Sequence, residues 1–108
     1  MLRFLTCMNS KKGHLMTKVI VRVEVEDVEH WKREFETHAE LFLRQAVTLI
    51  YRGIGEDNKV AACFETTDID AFMEVMASPD TVEAMSNDGI VEGSVEVYVA
   101  DSIFDPNS

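Results

Sequence analysis

Cysteine, glycine and, over the second half, positive charge are scarce in this 108-residue chain. Its two cysteines, Cys7 and Cys63, lie far apart and outside any C-x-x-C spacing. That excludes a disulfide framework and a zinc ribbon, and fits a reduced, cytoplasmic setting. Glycine is too sparse for a phosphate-binding loop: Gly53-x-Gly55 belongs to a hairpin, and no cofactor is expected. From Gly53 onward, thirteen acidic residues face a single basic one, Lys59, and the net charge is −10. A surface of that sign repels a phosphate backbone, so nucleic acid is not an expected partner; the acidity reads as a solvated face. No run approaches the roughly 18 apolar residues of a membrane-spanning helix, and no membrane partner is expected. Residues 1–16 lack an export-type apolar core and cleavage site, and read as a flexible leader, or as the product of an upstream start codon, before the domain at 17–101; residues 102–108 read as a C-terminal tail.

What the chain does have is periodicity. From Thr17 to Val25, Val19, Val21, Val23 and Val25 point one way while Lys18, Ile20, Arg22 and Glu24 point the other, the signature of a strand with one dry face. Asp27 is placed to cap a helix, with Glu29 in its first turn. Trp31, Phe35, Ala39, Phe42 and Ala46 then recur every three to four residues, which predicts one amphipathic helix of about 20 residues, ending near Ala46. Val47–Ile54 and Asn58–Glu65 form two β-rich runs around Gly55-Glu56-Asp57, an antiparallel hairpin. Thr67 and Asp70 approximate a capping box for a helix carrying Ile69, Phe72, Met73 and Met76. Ser78-Pro79 ends that helix and starts a short third one, closed by Asn87-Asp88-Gly89. The last strand runs from Ser94 to Asp101.

Two β-α-β halves make a ferredoxin-like α+β domain, βαββαβ, with helices on one face of a four-stranded antiparallel sheet. The other face, carrying Ile20, Arg22, Glu24 and Tyr98, is neither polar nor covered by the chain's own helices. Pairing with a second copy through that face, as a homodimer, resolves this. Asp27–His38, with its W-K-x-x-F-x-x-H pattern at Trp31, Lys32, Phe35 and His38, the hairpin, and Ser78–Met85 before the final strand carry a resemblance over about residues 17–101. The chain is similar to small antibiotic-biosynthesis-monooxygenase-like members of the dimeric α+β barrel superfamily. The resemblance implies a cleft for a small apolar or aromatic carbonyl compound, and cofactor-free oxygenation, cyclisation or isomerisation.

Few residues offer chemistry. His38 shares a face with Trp31 and Phe35, and is either a general base or a boundary histidine bonded to a backbone carbonyl. Glu34, four residues earlier, is placed to orient it. His30, Glu34 and His38 step by four, but the two imidazoles diverge by about 80° around a helix, so no metal site is expected. Tyr51 and Arg52 are candidates to polarise a substrate carbonyl, and Trp31, Phe35, Arg22 and Tyr98 to line a ligand site; a one-residue register slip would invert the strand positions. Trp31 reads first as a core anchor and then as a ligand contact, and Cys63 as an inert small hydrophobe before a nucleophile. Three roles remain open: an enzyme using His38 as acid or base, a non-catalytic small-ligand-binding or stress module, and an acidic surface docking a basic protein.

Overall fold

The computed structural model of the chain describes residues 16–107. The expected leader, apart from Met16, lies outside them, as does Ser108. The elements follow in the order β1 (Thr17–Glu24), α1 (Val28–Phe35), α2 (Ala39–Arg44), β2 (Val47–Ile54), β3 (Lys59–Thr66), α3 (Ile69–Met76), α4 (Pro79–Asn87) and β4 (Glu96–Val99). The strands form one antiparallel sheet in the order β2-β3-β1-β4. This is the βαββαβ arrangement, each helical half being two short helices. Among the described residues, no helix is long and apolar enough to cross a membrane.

The alternation of β1 sorts the sheet into two faces. Val19, Val21, Val23 and Val25 are all buried, and they pack with Val60, Ala62 and Phe64 of β3 under the helices. Trp31, Phe35, Phe42, Phe64 and Phe72 form a chain of ring contacts with successive centroids 5.0 to 5.8 Å apart, running from α1 across β3 to α3. On the opposite face the register lines up Tyr51, Cys63, Ile20 and Tyr98 across all four strands. The next row carries Arg22 beside Glu96, 3.3 Å apart.

Helix starts follow their caps. The Asp27 carboxylate accepts the His30 N–H at 3.1 Å, and the Ser78 hydroxyl receives the Thr81 N–H one residue before Pro79 opens α4. The cap of α3 is Asp68, which accepts the Ala71 N–H at 3.0 Å, rather than Thr67 of the expected box. Thr66 is drawn inward instead, its hydroxyl bonded to the Gln45 carbonyl at 2.7 Å.

The long first helix of the sequence reading is two helices. Thr37 directs its hydroxyl to the Glu34 carbonyl at 2.6 Å and its N–H to the same oxygen at 3.0 Å, so a local turn replaces helical continuation there. Restarting at Ala39 rotates the second segment: Ala39 is exposed, and Leu41, Phe42 and Gln45 face inward. Ala46, at φ 57°, turns the chain into β2. In the hairpin, Asp57 and Asn58 both take positive φ, which acidic and amide side chains tolerate, so β3 begins at Lys59 rather than Asn58. The last strand is also shorter than its alternation implied. Ser94 spends its hydroxyl on the Val91 carbonyl at 2.7 Å and lies outside the ladder, and along this edge Val95 and Val99 stay exposed.

Phe72 is 0% exposed and joins both halves of the core. Phe72→Ala is expected to cost about 3–5 kcal/mol, seen as a lower urea midpoint at unchanged slope, whereas exposed Leu43→Ala should stay within about 0.5 kcal/mol.

Candidate functional site

Between the helices and the dry face of the sheet lies an apolar cavity of about 70 Å³. Val21, Val23, Ala62 and Phe64 form its floor, Trp31, Phe35, Leu41 and Phe42 one wall, and Met76, Ala84, Met85 and Ile90 the other. Four polar side chains reach it: His38, Gln45, Thr81 and Asp88. The Thr81 hydroxyl is spent on the Val75 carbonyl at 2.6 Å.

His38 and Asp88 form a pair. His38 ends the turn between α1 and α2, and Asp88 ends α4, with Nε2 of the ring 2.7 Å from the carboxylate Oδ1. Both side chains are largely shielded from solvent. Burial raises the Asp88 pKa, Glu34 adds repulsion in the same direction, and the His38 hydrogen bond and charge act against both. With Asp88 ionised, its oxygen accepts, so Nε2 carries the hydrogen and Nδ1 is left with the lone pair. A carboxylate that holds an imidazole in one tautomer is the positioning half of an acid–base device.

The backbone around Asp88 makes the placement firm. One residue earlier, the Asn87 carbonyl accepts from His30 Nε2 at 2.9 Å. One residue later, Gly89 at φ 78° donates its N–H to the Ser86 carbonyl at 3.1 Å and presents its own carbonyl to the Glu26 N–H at 2.9 Å. A side chain at Gly89 would be strained by that φ and would stand 3.5 Å from the His30 ring. Three consecutive residues at the end of α4 are thus tied to the start of α1, its C-terminal turn and the end of β1.

The sequence-selected residues fall into two groups. Trp31, 2% exposed, and Phe35 line the cavity with His38. Arg52 lies on the helix side, where it donates to the Lys32 carbonyl at 3.2 Å and to Glu36 at 2.8 Å, with its guanidinium 5.3 Å from the Phe35 ring. It braces α1 against β2. Tyr51, one residue earlier, therefore points to the opposite face, so strand alternation keeps it from joining Arg52 at one carbonyl. Arg22 and Tyr98 share that outer face, both bonded to Glu96. Glu34 does not orient His38; Asp88 does. Among the described residues no group of three His, Cys, Asp or Glu side chains is placed to hold a metal ion.

A larger groove of about 730 Å³, lined by Arg22, Glu24, the 53–57 loop, Lys59 and Glu96, opens at the hairpin end of the sheet. It is wide and polar, and its pair is the exposed Arg22–Glu96 ion pair, whose guanidinium does not give up its proton. The smaller cavity is the candidate site because apolar walls and paired titratable groups converge there.

Asp88 and Gln45 were not singled out by the sequence reading. Asp88 was read only as part of a helix stop. Its one signal is an acidic side chain at a helix C-terminus, where the macrodipole disfavours it. Gln45 was hidden because an unbroken helix places Ala46, not Gln45, on the apolar stripe.

No protein-family model matches the chain, and no curated protein matches its sequence. Solved structures match in shape. A Bordetella bronchiseptica protein, assigned by name as an antibiotic biosynthesis monooxygenase, is 13% identical over 82% of this chain and 98% of its own, with a TM-score of 0.66. SnoaB, described as a cofactor-independent oxygenase from Streptomyces nogalater, is 17% identical over 86% of this chain and 98% of its own, with a TM-score of 0.65. A conserved Methanosarcina mazei protein is 13% identical over 81% and 92%, with a TM-score of 0.60. At such identities the likeness carries architecture alone, and the chain has the α+β fold of the antibiotic-biosynthesis-monooxygenase-like proteins.

Proposed function

We propose that the cavity binds a small apolar or aromatic compound with an acidic C–H or O–H bond, and that His38, held by Asp88, acts as its general base. The observation that carries this reading is the 2.7 Å His38–Asp88 contact at the polar end of an otherwise apolar cavity. His38 Nδ1 takes the substrate proton, and Asp88 stabilises the imidazolium that forms. The apolar walls exclude water from the carbanion or enolate left behind, which can then isomerise, cyclise or meet dioxygen. The description of SnoaB as a cofactor-independent oxygenase supports the same class of chemistry. The cavity is smaller than the roughly 300 Å³ at which ligand pockets begin, so entry requires its flexible methionine side chains to yield. Arg52 acts as a brace for α1 and Trp31.

A non-catalytic ligand-binding role shares the cavity and differs in leaving the ligand chemically unchanged. Exchange of the acidic hydrogen of an aryl ketone into deuterated water, followed by proton NMR, separates the two. Wild-type protein is expected to accelerate exchange, and His38→Gln, which keeps an N–H donor for Asp88 but lacks the base, to lower the rate by about 10²–10⁴-fold. Equal exchange by both proteins removes His38 as base.

Asp88 makes a separate prediction. Because its pKa is raised, the folded chain keeps a proton that the unfolded chain has already released as pH climbs past the ordinary carboxylate value. Its contribution to stability is therefore full at low pH and is lost as pH rises through the raised value. Urea melts of wild type and Asp88→Asn are expected to show the difference, wild type minus variant, declining as pH increases across that window. A difference that grows with pH would contradict the direction.

We further propose that the outer sheet face pairs with a second copy. Tyr51, Cys63, Ile20 and Tyr98 form a half-apolar row across all four strands, and Tyr51 and Tyr98 are exposed. Sedimentation of the wild type should give a dimer, and Ile20→Asp a folded monomer; a monomeric wild type at high concentration would refute this.

A further inference from the structure

Gln45 is an unusual residue to find at the wall of an apolar cavity, since glutamine is rarely buried. It is 4% exposed, and nearly every polar atom it owns is occupied. Its N–H turns back to the Leu41 and Leu43 carbonyls, its own carbonyl accepts from Thr66 at 2.7 Å, and its side-chain Nε2 donates to the Phe72 carbonyl at 3.3 Å. The last bond fixes the amide: a backbone carbonyl only accepts, so nitrogen, not oxygen, must face Phe72. Oε1 is left over, with no partner among the described residues. Elsewhere in the cavity the Thr81 hydroxyl is spent on the Val75 carbonyl and His38 Nε2 on Asp88, which leaves His38 Nδ1, the proposed base, as the other open acceptor.

We infer that Gln45 sets the ligand specificity of this cavity by accepting, at Oε1, a hydrogen bond from a hydroxyl or N–H on a small aromatic ligand. This rests on the reading of the cavity as a ligand site. It narrows the chemistry: a ligand whose oxygen only accepts, such as a ketone or ether, leaves Oε1 unpaired in a dry environment, whereas a phenol or an enol completes it. The ligand class is then a hydroxylated or enolised ring, its apolar edge against Phe42 and Phe64.

Phenol and anisole test this, because they match in ring and differ in the donor. Titrated by NMR, wild-type protein is expected to bind phenol about tenfold more tightly than anisole, the worth of one well-made hydrogen bond in such a site. Gln45→Met, similar in length but without the amide, should bind the two equally. In a crystal of wild-type protein soaked with phenol, which does not depend on the variant folding, the phenol oxygen should lie about 2.5–3.0 Å from Oε1. A preference that survives Gln45→Met, equal binding by wild type, or a phenol oxygen seated on Asp88 or His38 overturns the Gln45 inference and leaves the ligand-site reading standing. Failure of wild type to bind either compound overturns both.

Discussion

Four valines spaced two apart, Val19, Val21, Val23 and Val25, are the constraint on which this molecule is organised. Because β1 lies inside the sheet, with β3 on one side and β4 on the other, its alternation dictates that of its neighbours. Val21 sits opposite Ala62 and Val97, and Ile20 opposite Cys63 and Tyr98. A slip of one residue would expose every valine and bury Lys18, Arg22 and Glu24, so the register is strongly specified. The aromatic chain from Trp31 to Phe72 packs on the surface so defined. The cavity is the space this packing leaves where α2 and α4 approach the sheet.

The candidate site is then a matter of where helices stop. α1 is interrupted by Thr37 and α4 by Gly89, and each interruption delivers one member of the polar pair. Helix ends are suited to this because their backbone groups seek partners outside the helix. The His30 ring, the Asn87 carbonyl and the Gly89 carbonyl use those groups to join α4 to α1 and β1. Asp88 is held where its carboxylate has little water, and the imidazole facing it offsets only part of that burial.

Much of this was legible in the sequence, for physical reasons that differ by residue. Period-two valines, Asp27 and Ser78-Pro79 report on structure within a few residues, and the strands, the caps and the layer order follow from them. His38 was legible as a site residue because it shares a helical face with Trp31 and Phe35. What was not legible depends on distance or on a single competing bond. Asp88 is fifty positions from His38, and nothing local marks it as a partner. The Thr37 hydroxyl redirects the chain through one hydrogen bond that helix periodicity does not contain, so Gln45 and Leu41, rather than Ala39, come to face the cavity. Tyr51 and Arg52 illustrate a third case: adjacent in sequence, both polar, and sent by pleating to opposite sides of a sheet.

The break at Thr37 also bears on how one wall of the cavity is held. The segment after it, α2, spans six residues, Ala39–Arg44, and a helix of that length does not recover the cost of its own nucleation in water. It persists because Leu41 and Phe42 are docked on the core. Those two side chains therefore hold the helix as much as the helix holds them, and α2 stands only as part of the core it covers.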